Sequence, residues 1–136
     1  MLNPLFLCLL IASLVLTACK TQETEWRNQE GARLWLAANP ASGHTRLGGD
    51  WKVVEGLLGS AHFNQNERHI TGLIGIYTVE GHLKSDVLYL VLSQGGTAFY
   101  SAVLKKKDGV LTGFTSSQFP FSTKDSKKIV LTRSRD

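Results

Sequence analysis

The side chains that could carry chemistry in this chain are few, and their spacing argues against most of it. His44, His62, His69 and His82 stand in neither H-x-H nor H-E-x-x-H spacing, and no carboxylate accompanies them in a metal-ligand pattern. His44, in Ser42-Gly43-His44, and His82, after Gly81, read as solvated turn residues. Asp50, Glu55, Glu67 and Glu80 are scattered near turns, so the sequence offers no paired acid and base. No serine lies in G-x-S-x-G, and no strand–turn–helix is present to make a nucleophile elbow. Gly95-Gly96 lacks the helix and lysine that a phosphate-binding loop requires. No catalytic residue, metal site or cofactor is therefore expected, and the chain is not expected to be an enzyme.

The two cysteines, Cys8 and Cys19, both fall near the N-terminus. Residues 1–18 contain no Asp, Glu, Lys or Arg, and their apolar run Leu5–Val15 has the length of a signal-peptide core, short of a bilayer span. It leads into Leu16-Thr17-Ala18-Cys19: an aliphatic residue, a hydroxyl residue, a small residue and a cysteine. This resembles the lipobox of bacterial lipoproteins. The resemblance implies that the chain is cut before Cys19, that the Cys19 thiol carries diacylglycerol, and that the new amine is acylated. Two or three acyl chains hold a protein stably at a membrane, at roughly 0.8 kcal/mol per buried methylene. Lys20 after the cysteine, in place of Asp, implies sorting to the outer membrane of an enteric-type envelope, with the domain facing the periplasm.

Removing residues 1–18 leaves a chain long enough for one domain and not two. With Cys8 removed and Cys19 lipidated, no disulfide or thiolate metal site is available, so stability has to come from packing. The formal charge of +4 is retained. Lys105-Lys106-Lys107 and Lys124, Lys127 and Lys128 concentrate the basic charge in the C-terminal third. An exported protein has no nucleic acid to bind; the lysines suit anionic lipid headgroups or an acidic partner, or they serve only to keep strand ends soluble.

Residues 20–32 are polar apart from Trp26 and read, with Cys19, as a tether or a short first helical turn. Arg33–Ala37 could be a strand or a short helix, ended by Asn39-Pro40. From Gly49 the pattern becomes short, β-rich and punctuated. Predicted strands are Asp50–Val54, Leu57–Asn64, His69–Val79, Asp86–Ser93, Thr97–Lys105, Val110–Ser117 and Lys128–Arg133. Glu80-Gly81 is expected to close the third of these, and Asp108-Gly109 is the clearest hairpin turn. Seven strands follow, or eight with Arg33–Ala37. Short turns make neighbours antiparallel, and closure removes two exposed edges. Gly72, Gly75 and Gly113, inside strands, mark sharp bends or close approaches. The expected fold is all-β: a small antiparallel up-and-down barrel over residues 33–136.

The segment Gly48-Gly49-Asp50-Trp51 resembles the G-x-W signature opening the first strand of lipocalins and the wider calycin group. In that group the tryptophan closes one end of the barrel under a basic residue near the end of the last strand. Gly49, Trp51 and Arg133 are the matching residues here. The resemblance implies a lipocalin-like barrel that holds a small apolar ligand or lipid. Phe63, Tyr77, Tyr89, Phe99, Tyr100 and Phe114 are candidates to line it, or are plain core filler. Asp86–Ser93 is apolar on both faces; the second face is either covered by the N-terminal segment with Trp26 and Trp35, or left as a contact patch. The alternative to ligand binding is a non-enzymatic protein-interaction or hydrolase-inhibitor module of the envelope.

Overall fold

The computed structural model describes residues 29–57 and 59–134. The signal segment 1–18, Cys19, and Trp26 in the tether lie outside the described residues. Residues 29–38 form a helix, α1, and eight strands follow: β1 (Gly49–Glu55), β2 (Ser60–Asn66), β3 (His69–Ile74), β4 (Tyr77–Lys84), β5 (Val87–Gln94), β6 (Thr97–Lys107), β7 (Val110–Ser116) and β8 (Lys127–Arg133). Each strand pairs antiparallel with the next, and β8 returns to β1, closing an up-and-down barrel. Strand length, all-β class and closure are those expected of a lipocalin-like small barrel.

Several expected elements are corrected. Arg33–Ala37, left open by the sequence between a strand and a short helix, is helical and contributes no strand. Ala32, Trp35 and Leu36 fall on one helical stripe and bury it against the outer face of β5 and β6, through Tyr89, Val91, Ala98 and Val103. That burial, rather than intrinsic propensity, selects a helix in so short a segment. It also accounts for the two-faced apolarity of β5: Leu88, Leu90 and Leu92 face the interior, while Tyr89 and Val91 face α1. Trp35 packs against Tyr89 with ring centroids 5.6 Å apart. α1 also takes in residues 29–32, the end of the segment expected to be a tether or a short first helical turn.

The eighth strand comes from elsewhere. His69–Val79 is two strands joined by a hairpin at Gly75-Ile76, where Gly75 adopts φ 57°. Glu80-Gly81 is strand interior, and the turn is Ser85-Asp86. Gly81 is there for a different reason: a Cβ at this position would lie 1.8 Å from the carbonyl oxygen of Tyr89 on β5. Gly113 stands in the same relation to the Val103 carbonyl, at 1.8 Å. Both positions mark where adjacent strands fold tightly across the barrel surface.

The strand alternation turns one set of side chains inward. Trp51, Phe63, Ile70, Leu90, Leu104 and Leu131 are among the fully buried residues that fill the barrel. Eight strands enclose a space that side chains can fill unaided or that admits one small ligand. The ring of turns divides the molecule into two ends. Turns 67–68, 85–86 and 108–109, the start of β1 and the end of β8 form one end, called here the capped end. Turns 75–76 and 95–96, segment 56–59 and loop 117–126 form the other, the tether end.

Adding a methyl group at Gly113 drives it into backbone that cannot yield, whereas the space at Gly48 is ordinary, with 3.5 Å to the nearest atom. Gly113→Ala should lower the unfolding free energy by about 2 kcal/mol or more, with Gly48→Ala within about 1 kcal/mol of wild type, in chemical denaturation.

Candidate functional site at the capped end

The capped end is built from loop 39–48 laid across the barrel mouth. Leu47 drops into the interior and is fully buried, joining Trp51 and Phe63 in the core. The Trp51 indole N–H donates to the Leu47 carbonyl at 2.9 Å, which satisfies a polar atom that burial would otherwise strand. Gln65, near the end of β2, holds the loop with both halves of its amide. Its Oε1 accepts from the backbone N–H groups of Leu47 (2.6 Å) and Gly48 (3.1 Å), and its Nε2 donates to the carbonyls of Thr45 (2.8 Å) and Glu67 (2.9 Å).

Arg133 crosses the top. Its guanidinium carbon lies 4.3 Å from the centroid of Trp51, and Nη1 donates to the Gly48 carbonyl at 2.5 Å. Register explains the encounter, since Trp51 and Arg133 are directly paired across β1 and β8. Gly49 makes room for it. It sits at φ 116°, and a Cβ there would lie 2.9 Å from Arg133 Nη1. Gly49, Trp51 and Arg133 are thus brought together in one cluster. Gln65 belongs to the same cluster and was missed from sequence, because a glutamine in a polar strand end carries no signal of its long-range partners.

The six aromatic candidates separate. Phe63 is buried beside Trp51, with centroids 6.4 Å apart. Tyr77 and Tyr100 pack against the core from the tether end, 5.4 Å apart and edge to face. Tyr89 lies outside the barrel under α1. Phe99 and Phe114 point outward and are exposed. Phe99 shares the outward parity of Val103, opposite to Tyr100, Ala102 and Leu104, and a bulge beside it, where Leu92 pairs with Tyr100 and Ser93 with Ala98, leaves it without a partner and brings Ala98 to the outer face as well. Phe114 is on the outer face because its neighbour Leu111 faces in, three positions away.

A solvent-open cleft of about 650 Å³ lies beside the cap, lined by His44, Arg46, Gly48, Gln65, Glu67 and Arg68. Arg68 is held by donation from Nε to the Gly43 carbonyl at 3.1 Å, and Lys106 Nζ donates to the Arg46 carbonyl at 3.2 Å. Basic groups outnumber acidic ones: Arg46, Arg68, Arg133, Lys84 and the run Lys105-Lys106-Lys107 stand at this end, against Asp50, Glu67, Asp86 and Asp108, with Lys105 3.7 Å from Asp86. A smaller cleft of about 260 Å³ runs between α1 and strands β4–β6.

One titratable pair also escaped the sequence reading. His62 Nδ1 lies 2.6 Å from the Asp50 carboxylate and its Nε2 lies 3.2 Å from Asn64 Oδ1, all on the outer face. Asp50 and His62 are opposite each other in the β1–β2 register, so sequence separation hid the contact. The hydrogen bond to Asp50, followed by that to Asn64, raises the His62 pKa above its ordinary value. No third ligating group joins them, and no cluster of three or more His, Cys, Asp or Glu side chains is present among the described residues.

Comparison with family models, with characterised proteins and with solved structures gave no significant match. The fold itself, a closed eight-stranded antiparallel barrel, is compatible with ligand binding. Among the described residues no helix is long and apolar enough to cross a membrane.

Gly49→Ala forces a side chain into a backbone region that costs about 1–3 kcal/mol for non-glycine residues. It should also push Arg133 off Trp51, so its stability loss should largely absorb that of Arg133→Ala in a double-mutant cycle. Additive losses, measured by denaturant unfolding, would mean that the two residues act separately.

Proposed function

We propose that this chain is a lipid-anchored envelope protein that acts without catalysis, as an interaction module, and that an acidic partner protein docks at its capped end. The observation that carries this reading is the pairing of a filled barrel with a basic, open cleft built on a rigid cap. Fully buried side chains occupy the barrel, Leu47 and Trp51 at the capped end among them. Binding surface is therefore supplied by the outside of the molecule. At the capped end, Arg46 and Arg68 flank a cleft whose floor is fixed by Gln65 and whose edge is fixed by Arg133. Arg68 is held by its bond to the Gly43 carbonyl, and clustered cations raise association rates and select acidic surfaces, an effect that falls with ionic strength.

Lipid anchoring rests on the Leu16-Thr17-Ala18-Cys19 motif after an uncharged apolar run. It implies a domain held in the envelope, facing the periplasm from the outer membrane. The finer alternative is a small apolar ligand inside the barrel. Such a ligand would have to displace Leu47 or the Tyr77–Tyr100 pair, and it would compete with side chains that already exclude water. A hydrolase is one kind of partner that suits a basic, rigid cleft, with the barrel serving as its inhibitor.

The test uses Arg46→Glu/Arg68→Glu as bait beside the wild-type domain in envelope extract, with bound proteins identified by mass spectrometry. The expected result is a partner retained by the wild type, weakened about tenfold or more by the double reversal, and released as salt rises through the range in which surface charges are screened. A partner held equally by both baits, or none at any ionic strength, would sink the capped-end reading.

A further inference from the structure

The large apolar side chains that remain exposed are unevenly distributed. Among the described residues, Val54, Leu73, Ile76, Phe99 and Phe114 all belong to the half of the barrel toward the tether end, and only Leu34, on α1, lies apart from them. Ile76 is 68% exposed at the tip of the β3–β4 hairpin, a position where a polar residue would serve the turn as well. Phe99 is 44% exposed and packs against Tyr77, with centroids 6.1 Å apart. Tyr77 in turn meets Tyr100. The result is an apolar tip backed by amphipathic rings, the combination enriched where protein meets the bilayer interface. Lys124 and Lys127 stand exposed at the same end, in the β7–β8 connection and at the start of β8, where they could reach lipid phosphates.

The path of the chain points the same way. Gln29, the first described residue, donates from Nε2 to the Gly96 carbonyl in the β5–β6 turn, at 2.6 Å. The chain therefore joins the domain at the apolar end. The ten residues from Cys19 to residue 28 can span at most about 36 Å when fully extended. Because the chain leaves the domain at the apolar end, an anchor at Cys19 lies nearer that end than the cap by the length of the barrel.

We infer that the tip formed by Ile76, Tyr77 and Phe99 is a membrane-contact surface, inserted shallowly into the lipid bilayer that holds the anchor. The inference rests on the anchored reading and adds an orientation to it: the tether end lies on the bilayer and the basic cap projects away from it. Burying Ile76 and Phe99 in the interface removes exposed apolar area that a free-standing domain would leave in water. It also leaves the arginines of the capped end free to meet a partner.

The experiment takes the full-length chain, processed in cells and reconstituted in vesicles of phosphatidylethanolamine and phosphatidylglycerol. Ile76→Cys, Phe99→Cys and Asp108→Cys each carry one environment-sensitive fluorophore, and the mass of the N-terminal peptide reports acylation of Cys19. Shallow insertion places groups about 5–10 Å into the headgroup–acyl boundary, so a lipid-borne quencher should reduce emission at 76 and 99 about threefold more than at 108. Acylated Cys19 with equal quenching at all three sites overturns the inference and leaves the anchored reading standing. An unmodified Cys19 overturns the anchored reading itself, and the membrane orientation with it.

Discussion

The rest of the molecule depends on how one end of the barrel is shut. A closed sheet has no free edges, but its ends remain open, and water would enter a core lined by leucine and isoleucine unless something covered it. Here the cover is a loop of otherwise unremarkable sequence, made rigid by three interactions. Gln65 takes up four backbone groups, Trp51 receives Leu47 beneath its indole N–H, and Arg133 spans the indole and the Gly48 carbonyl. The cation over the ring contributes about 0.5–1 kcal/mol at an exposed site. The hydrogen bonds of a charged donor add about 1.5–3 kcal/mol each. The larger consequence is geometric: the barrel closes on the pair of strands that supply both residues, so closing the sheet and sealing its end are one event.

Buried side chains line the interior and the cap covers one end, so the groups free to meet other molecules lie on the surface. The surface is polarised. Cationic side chains gather around the cap, where Arg68 and Lys106 are tied to loop carbonyls and so hold fixed positions. Exposed apolar side chains gather at the opposite end, beside the point where the N-terminal chain joins the domain. α1 links the two ends along the outside of β5 and β6. At its C-terminal end, His82 bonds to the Asn39 carbonyl, and the Ser42 N–H donates to the Leu83 carbonyl. On its other flank, loop 117–126 packs Phe119 and Phe121 beside Trp35 and is pinned by the buried hydroxyls of Ser101 and Ser116. The helix thus runs as a strut from the β5–β6 turn to the cap.

Much of this fold was legible because hairpin chemistry and alternation leave plain marks. Asp108-Gly109 and Gly95-Gly96 adopt positive φ at both turn positions, as short hairpins demand. The failures have physical causes. Gly75 marked only a bend inside a strand, because a turn tipped by isoleucine reads as uninterrupted strand. Gly81 gave a false one, because glycine marks tight turns and close strand approaches alike, and only the position of the Tyr89 carbonyl distinguishes them. The expected upper count of eight strands matches the structure, with different membership: Arg33–Ala37 left the sheet and the split of His69–Val79 replaced it. In the candidate site, Gly49, Trp51 and Arg133 could be named through the resemblance to the lipocalin G-x-W signature and its basic partner on the last strand, and the β1–β8 register makes Trp51 and Arg133 neighbours. Gln65, and the His62–Asp50 pair, depend on long-range placement that local pattern does not encode. Ala98 reaches the outer face through a bulge that no residue type announces, whereas Phe99 and Tyr100, being consecutive in one strand, could not both face inward.

The measurement that bears most directly on a capped, filled barrel is a titration of the folded domain with a long-chain fatty acid, followed by the NMR signal of the Trp51 indole N–H. A barrel sealed by Leu47 and Arg133 predicts an indole resonance that stays in place, protected from exchange, at every ligand concentration. A saturable shift of that resonance with one ligand bound per barrel would contradict it, and would return function to the interior.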